Sequence, residues 1–99
     1  MLGVMEKQPG DLIDFDIDFS RWLTETDIVT TAVAVVAPAY DAVTNPSGVQ
    51  ITAVQISNPD VKVWCSGGVD GKTYKVTLTA STSEGRIKEV DFQIRVKDC

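Results

Sequence analysis

The stretch 61–96, VKVWCSGGVDGKTYKVTLTASTSEGRIKEVDFQIRV, decides the fold. It holds three strand-like segments with turn-forming residues between them. In the middle segment Tyr74, Val76, Leu78 and Ala80 fall on one face, and Thr73, Lys75, Thr77 and Thr79 on the other. In the last segment Val90, Phe92, Ile94 and Val96 face one way, and Asp91, Gln93, Arg95 and Lys97 the other. A period of two with one apolar face is the pattern of an antiparallel sheet that is wet on one side. Gly85, in the linker between these segments, can take the positive φ of a hairpin loop, so the two strands are expected to pair directly. Asp70-Gly71 reads as another turn.

The rest of the chain repeats the theme. Residues 11–19, DLIDFDIDF, alternate Ile13, Phe15, Ile17 and Phe19 with Asp14, Asp16 and Asp18. This is an amphipathic strand with an acidic outer face, and a row of like charges discourages edge-to-edge association. Asp14, Asp16, Asp18 and Glu25 also match positions 1, 3, 5 and 12 of an EF-hand loop. Phe19 stands where that loop needs glycine, and the segment reads as strand rather than helix–loop–helix, so a solvated strand face is the stronger reading. Ser20 is placed to cap a short turn, with Trp22 and Leu23 tucked against the sheet. Trp22 is either a core plug or an interface anchor.

Residues 28–36 are nearly continuous in apolar and β-branched types and are expected to form a strand covered on both faces. Residues 37–48 contain Pro38, Asn45-Pro46 and Ser47-Gly48, a loop with an irregular strand near Tyr40, and a candidate contact surface. In 49–56, Val49, Ile51 and Ala53 keep one phase and Val54 and Ile56 the other, so either both faces are partly buried or a bulge re-phases the strand. Trp64 is the odd residue of its strand, an aromatic on the polar face that covers an edge or meets a partner. Six strands result, at 13–19, 28–36, 49–56, 61–66, 73–81 and 87–97, with no helix of useful length. This is an all-β, antiparallel β-sandwich. Residues 1–10, with Pro9-Gly10, read as an extended N-terminal arm, and 11–99 as the sandwich domain. Tyr74 near the start of its strand resembles the tyrosine corner of immunoglobulin-like sandwiches; a plain core tyrosine is the alternative.

Composition narrows the function. Ninety-nine residues make one domain, and the net charge of −5 with scattered basic residues argues against a nucleic-acid surface. No stretch is long and apolar enough to span a membrane, and residues 1–10 lack the apolar run of a secretory signal. The chain has no histidine, which removes the commonest general base and metal ligand. Ser66-Gly67-Gly68 is too short for a phosphate loop. Cys65 and Cys99 are too few for a disulfide framework or a zinc site and read as free thiols.

The lead KQPGDLIDFDIDFSRWL (7–23) resembles the opening of the tailed-bacteriophage fibre–tail adaptor family, small structural proteins of the virion. VWCSGG (63–68), GKTYKV (71–76), Gly85-Arg86 and FQIRV (92–96) resemble the same family in the same order. Residues 38–60 carry no matching motif, and Thr24-Glu25 replaces a glycine pair common after Trp-Leu. The resemblance implies an immunoglobulin-like sandwich in the virion tail, made in the host cytoplasm, with no enzyme activity and no cofactor. It implies many copies in a symmetric ring, linking the tail tube or connector to fibres, with neither nucleic acid nor membrane as partner. Contact candidates are then the arm residues Lys7, Pro9 and Asp11, with Trp22, Tyr40 and Trp64. A carbohydrate- or surface-binding sandwich, using Trp22, Tyr40 and Trp64, is the competing class, and a module that binds a host protein a third.

Overall fold

The computed structural model describes residues 3–98 and is all-β, without helices among them. Seven strands follow one another: β1 Val4–Lys7, β2 Ile13–Asp18, β3 Val29–Ala37, β4 Val49–Ser57, β5 Asp60–Gly67, β6 Thr73–Thr82 and β7 Ile87–Val96. They form a four-stranded sheet ordered β1-β7-β6-β3 and a three-stranded sheet ordered β2-β5-β4. All pairings are antiparallel except β1 with β7, which is parallel.

The hairpin β6–β7 forms as its turn chemistry requires. Ser81 stands opposite Ile87, Gly85 takes φ 85°, and the Thr82 and Gly85 N–H groups donate to Arg86 O and Thr82 O. The period-two pattern then decides burial. Tyr74, Val76, Leu78 and Ala80 of β6 and Val90, Phe92, Ile94 and Val96 of β7 are buried. Facing them from the other sheet are Ile17, Val61, Val63 and Cys65, with Val49. Tyr74 is buried, and its hydroxyl accepts a 3.1 Å hydrogen bond from the Val69 N–H five residues upstream. At the end of β5, Gly68 takes φ 112° in a gap where a Cβ would stand 2.5 Å from Val96 Cγ2, so only glycine lets the chain leave the sandwich there.

The structure revises four expectations. The segment 1–10 is not wholly an arm, because Val4–Lys7 adds to the edge of β7 with Met5 packed on the core. The Gln93 and Lys97 N–H groups donate to Gly3 O and Lys7 O, each at 2.9 Å, which satisfies an edge that β7 would otherwise leave open. Met1 and Leu2 lie outside the described residues, as does Cys99. Second, β3 is covered on one face only. It is an edge strand, so Ala32 and Ala34 are half-buried while Val33 and Val35 are 60% exposed. Third, the turn after β2 is capped by Asp18 rather than Ser20: Asp18 Oδ1 accepts the Ser20 N–H at 2.8 Å. Fourth, the loop after β3 holds no strand around Tyr40, but a turn closed by a single bridge between Asp41 and Asn45. Of the two readings of β4, the bulge holds. The register shifts between Ile51 and Ala53, and this brings both Ile51 and Val54 onto the core.

Candidate interface

The residues singled out as contacts do not gather at one place. Lys7 points inward from β1 and is only 3% exposed. Its Nζ donates to Gln8 O at 2.7 Å, with Pro9 O at 3.5 Å. Burial lowers its pKa, against the opposing pull of the Asp11 and Cys65 charges. Asp11 closes the same turn: its Oδ2 accepts the Gln8 N–H at 3.0 Å, and its own N–H donates to Gln8 O at 3.1 Å. Lys7 therefore braces the turn 7–11 from within. Pro9 and Asp11 are half-buried on its outside, beside a shallow cleft of about 200 Å³ lined by Glu6, Lys7, Gln8, Asp11 and Lys97.

Trp22 stands at the other end of β2. The turn that holds it is tied by the Trp22 N–H to Phe19 O bond at 2.9 Å. Its ring meets Phe19 at a centroid distance of 5.3 Å, and Lys88 Nζ lies 4.9 Å from the ring centre. Such a cation–π contact contributes about 0.5–1 kcal/mol at an exposed site. Arg86 Nη1 donates to Trp22 O at 3.0 Å. Trp22 is thus half core plug, half wall of an apolar cleft of about 430 Å³ that Leu23, Ala80 and Ile87 continue and Arg86 and Lys88 rim.

Trp64 lies mid-β5 on the outer face of the three-stranded sheet, opposite Asp14 on one side and Ala53 on the other. Its indole N–H donates to Gln55 Oε1 at 3.0 Å. Beside it Lys62 bridges Asp14 at 3.4 Å and Asp16 at 3.9 Å. The acidic row of β2 therefore has an ammonium already set between two of its carboxylates, a surface pairing of modest energy. Asp18, the third of that row, instead accepts the Ser20 N–H, which holds its carboxyl below the usual range.

Tyr40 is 38% exposed in the β3–β4 loop, which leads to Val43, 87% exposed. The loop is built around Asp41, whose Oδ1 accepts the Val43 N–H at 2.8 Å and the Thr44 N–H at 3.3 Å; these bonds hold its carboxyl below the usual range. Trp22, Tyr40 and Trp64 stand on three different elements, and among the described residues none stacks on another. A sugar platform from these aromatics is not assembled.

Asp27 lies in the β2–β3 connection and carries no sequence signature of its role. It is buried, and its Oδ1 accepts the Ser83 hydroxyl and the Glu84 N–H, both at 3.0 Å. Glu84 returns the tie, accepting the Thr26 hydroxyl at 2.6 Å and the Thr24 hydroxyl at 3.1 Å. Burial alone would push the Asp27 carboxyl up. The Thr82 and Ser83 hydroxyls, the Glu84 N–H and the nearby Arg86 charge outweigh it and hold the carboxyl low. The β2–β3 connection is thereby fixed to the β6–β7 turn. No local pattern marks such a residue, because its partners lie more than fifty positions away.

The candidate contact residues are thus distributed over turns, an outer sheet face and a loop. No curated protein matches the chain. The model of one protein family, described as podophage GP4 fiber-tail adaptor protein gp77, matches residues 7–95 of the 99, and the chain belongs to that family.

Proposed function

We propose that the chain is a structural protein of the phage tail, joining tail tube or connector to fibres through protein–protein contacts, in several copies around the tail. The family match over residues 7–95 carries this reading. On this reading the chain has no catalytic role and no cofactor.

An immunoglobulin-like sandwich is the scaffold that goes with it. In sequence order, β2, β5 and β4 take the places of strands B, E and D, while β3, β6 and β7 take those of C, F and G. The hydrogen bond between Tyr74 and Val69 supports a tyrosine corner at the start of the F-like strand. Contacts are assigned to the turn around Pro9 and Asp11, braced by Lys7, and to Trp22, Tyr40 and Trp64. The net charge of −5 favours protein partners over nucleic acid.

Quantitative mass spectrometry of purified particles, paired with electron cryomicroscopy of the tail, tests the proposal. The chain is expected at a fixed copy number above one, in density between connector and fibre. Its absence from intact particles, or a position in the head, would overturn the reading.

A further inference from the structure

Charge is unevenly spread along this chain. It holds 14 acidic and 9 basic residues, yet from Ile28 to Pro59 the one charged side chain is Asp41. The fold gathers that segment on one flank, where β3 ends the four-stranded sheet, β4 ends the three-stranded sheet, and the two strands touch. Nine large apolar side chains are exposed among the described residues, and six lie in this segment: Ile28, Val33, Val35, Tyr40, Val43 and Ile56. Depletion of charge is the compositional mark of an interface core, and clustered exposed apolar groups mark contact sites.

The β3 edge is the part of this flank with the most specific geometry. Its first residue is closed by the chain itself: the Val29 N–H donates to Asn58 Oδ1 at 2.8 Å, and Asn58 Nδ2 donates to Val29 O at 3.2 Å. From Thr31 to Ala37 the strand has no paired neighbour but β6 among the described residues. Proteins usually blunt such edges with lysine, proline or bulges. Here those devices stand only at the ends, as the register shift between Val29 and Thr31 and as Pro38. The middle keeps an unbroken register with β6 and carries no charge.

We propose that β3 pairs antiparallel with β3 of a second copy, across a two-fold axis at Ala34. In that register Val33 faces Val35 of the second copy and Val35 faces its Val33. Four valines then cover one another on the outer face. Ala32 faces Val36 of the second copy on the core side, so the inner layer continues across the axis. Both faces match because each opposed pair shares the strand's parity. A charged partner would gain no ion pair along Thr31–Ala37, which carries no charge. The edge selects an equally uncharged, β-branched, extended segment, and β3 itself is such a segment. All acidic residues but Asp41 lie outside Ile28–Pro59, so this flank is also where two net-negative copies repel least. A two-fold contact closes on itself, so repetition round a tail axis would use a different contact, and the pairing stands independently of the adaptor reading.

The test is the oligomeric state of the purified chain. Analytical ultracentrifugation is expected to show a monomer–dimer equilibrium below roughly 100 µM, the weak end of specific association. The double variant Val33→Lys, Val35→Lys sets like charges opposite one another and should raise the dissociation constant at least about ten-fold. Ile87→Lys, at a 74% exposed position on β7, should leave it unchanged. Hydrogen exchange on the wild-type chain gives a second readout, since amides in 31–37 should gain protection as concentration rises. This readout decides the matter if the double variant does not fold. A wild type monomeric throughout that range, a double variant that still pairs, or β3 amides protected only inside particles would each overturn the proposal.

Discussion

Phe15 and Phe92 meet across the sandwich, ring centroids 5.8 Å apart and planes inclined at 55°. Phe15 comes from the β2 edge of one sheet and Phe92 from the interior of the other, and this tilted contact helps to hold the two sheets face to face. Phe92 is fully buried. Phe92→Ala removes both the transfer energy and the packing, a loss of about 3–5 kcal/mol. For a domain of this size that is a large share of total stability. Thermal melting should show an unfolded or strongly destabilised variant. A midpoint within about 2 °C of wild type would mean that the contact carries no weight.

The β1 strand makes a prediction opposite to that for a free arm. Deleting residues 1–10 strips the parallel edge from β7, removes Met5 from the core and opens the Gln93 and Lys97 amides. Loss of the partly buried Met5 alone costs on the order of 1 kcal/mol, so the melting midpoint should fall by about 4–8 °C or more. An unchanged midpoint would show that this strand is dispensable to the fold.

Asp27 ties stability to acid pH. Its carboxyl is held below the ordinary value of 3.8 in the folded chain, so its contribution is complete above that value. It fades as pH falls through the lower folded-state value, where the carboxylate must take up a proton and loses its acceptor bonds. Asp27→Asn should lower the melting midpoint at pH 7 and flatten its decline in acid. Melts from pH 7 to about pH 2 test this against the other low-lying carboxyls, Asp18, Asp41 and Asp91. A variant with the wild-type acid slope would remove Asp27 from the account.

Cys65 is buried between the sheets, and burial pushes its thiol up to about 11 despite the nearby Lys7 charge. Thiolate is the reactive form, so Cys65 should resist alkylation at pH 8 in the native protein and react fully in guanidinium. Peptide mapping separates its signal from that of Cys99. Rapid native labelling at Cys65 would mean that the sandwich opens readily.

The sequence alone determined the strands with alternating faces. Each of the six expected strands forms, with no end displaced by more than one residue, because a period of two is a property of neighbouring side chains. The Gly85 hairpin was equally local. The tertiary structure alone decided the rest. The four residues Val-Met-Glu-Lys of β1 carry no decisive pattern and become a strand only because β7 offers them an open edge. The valines of β3 stay exposed because the strand lies at the rim of its sheet, and a sheet's order cannot be read from any single strand. The bulge of β4, the burial of Lys7 and the tie from Asp27 to the β6–β7 turn have the same cause. Each depends on groups distant in sequence that meet only after the two sheets have closed on one core.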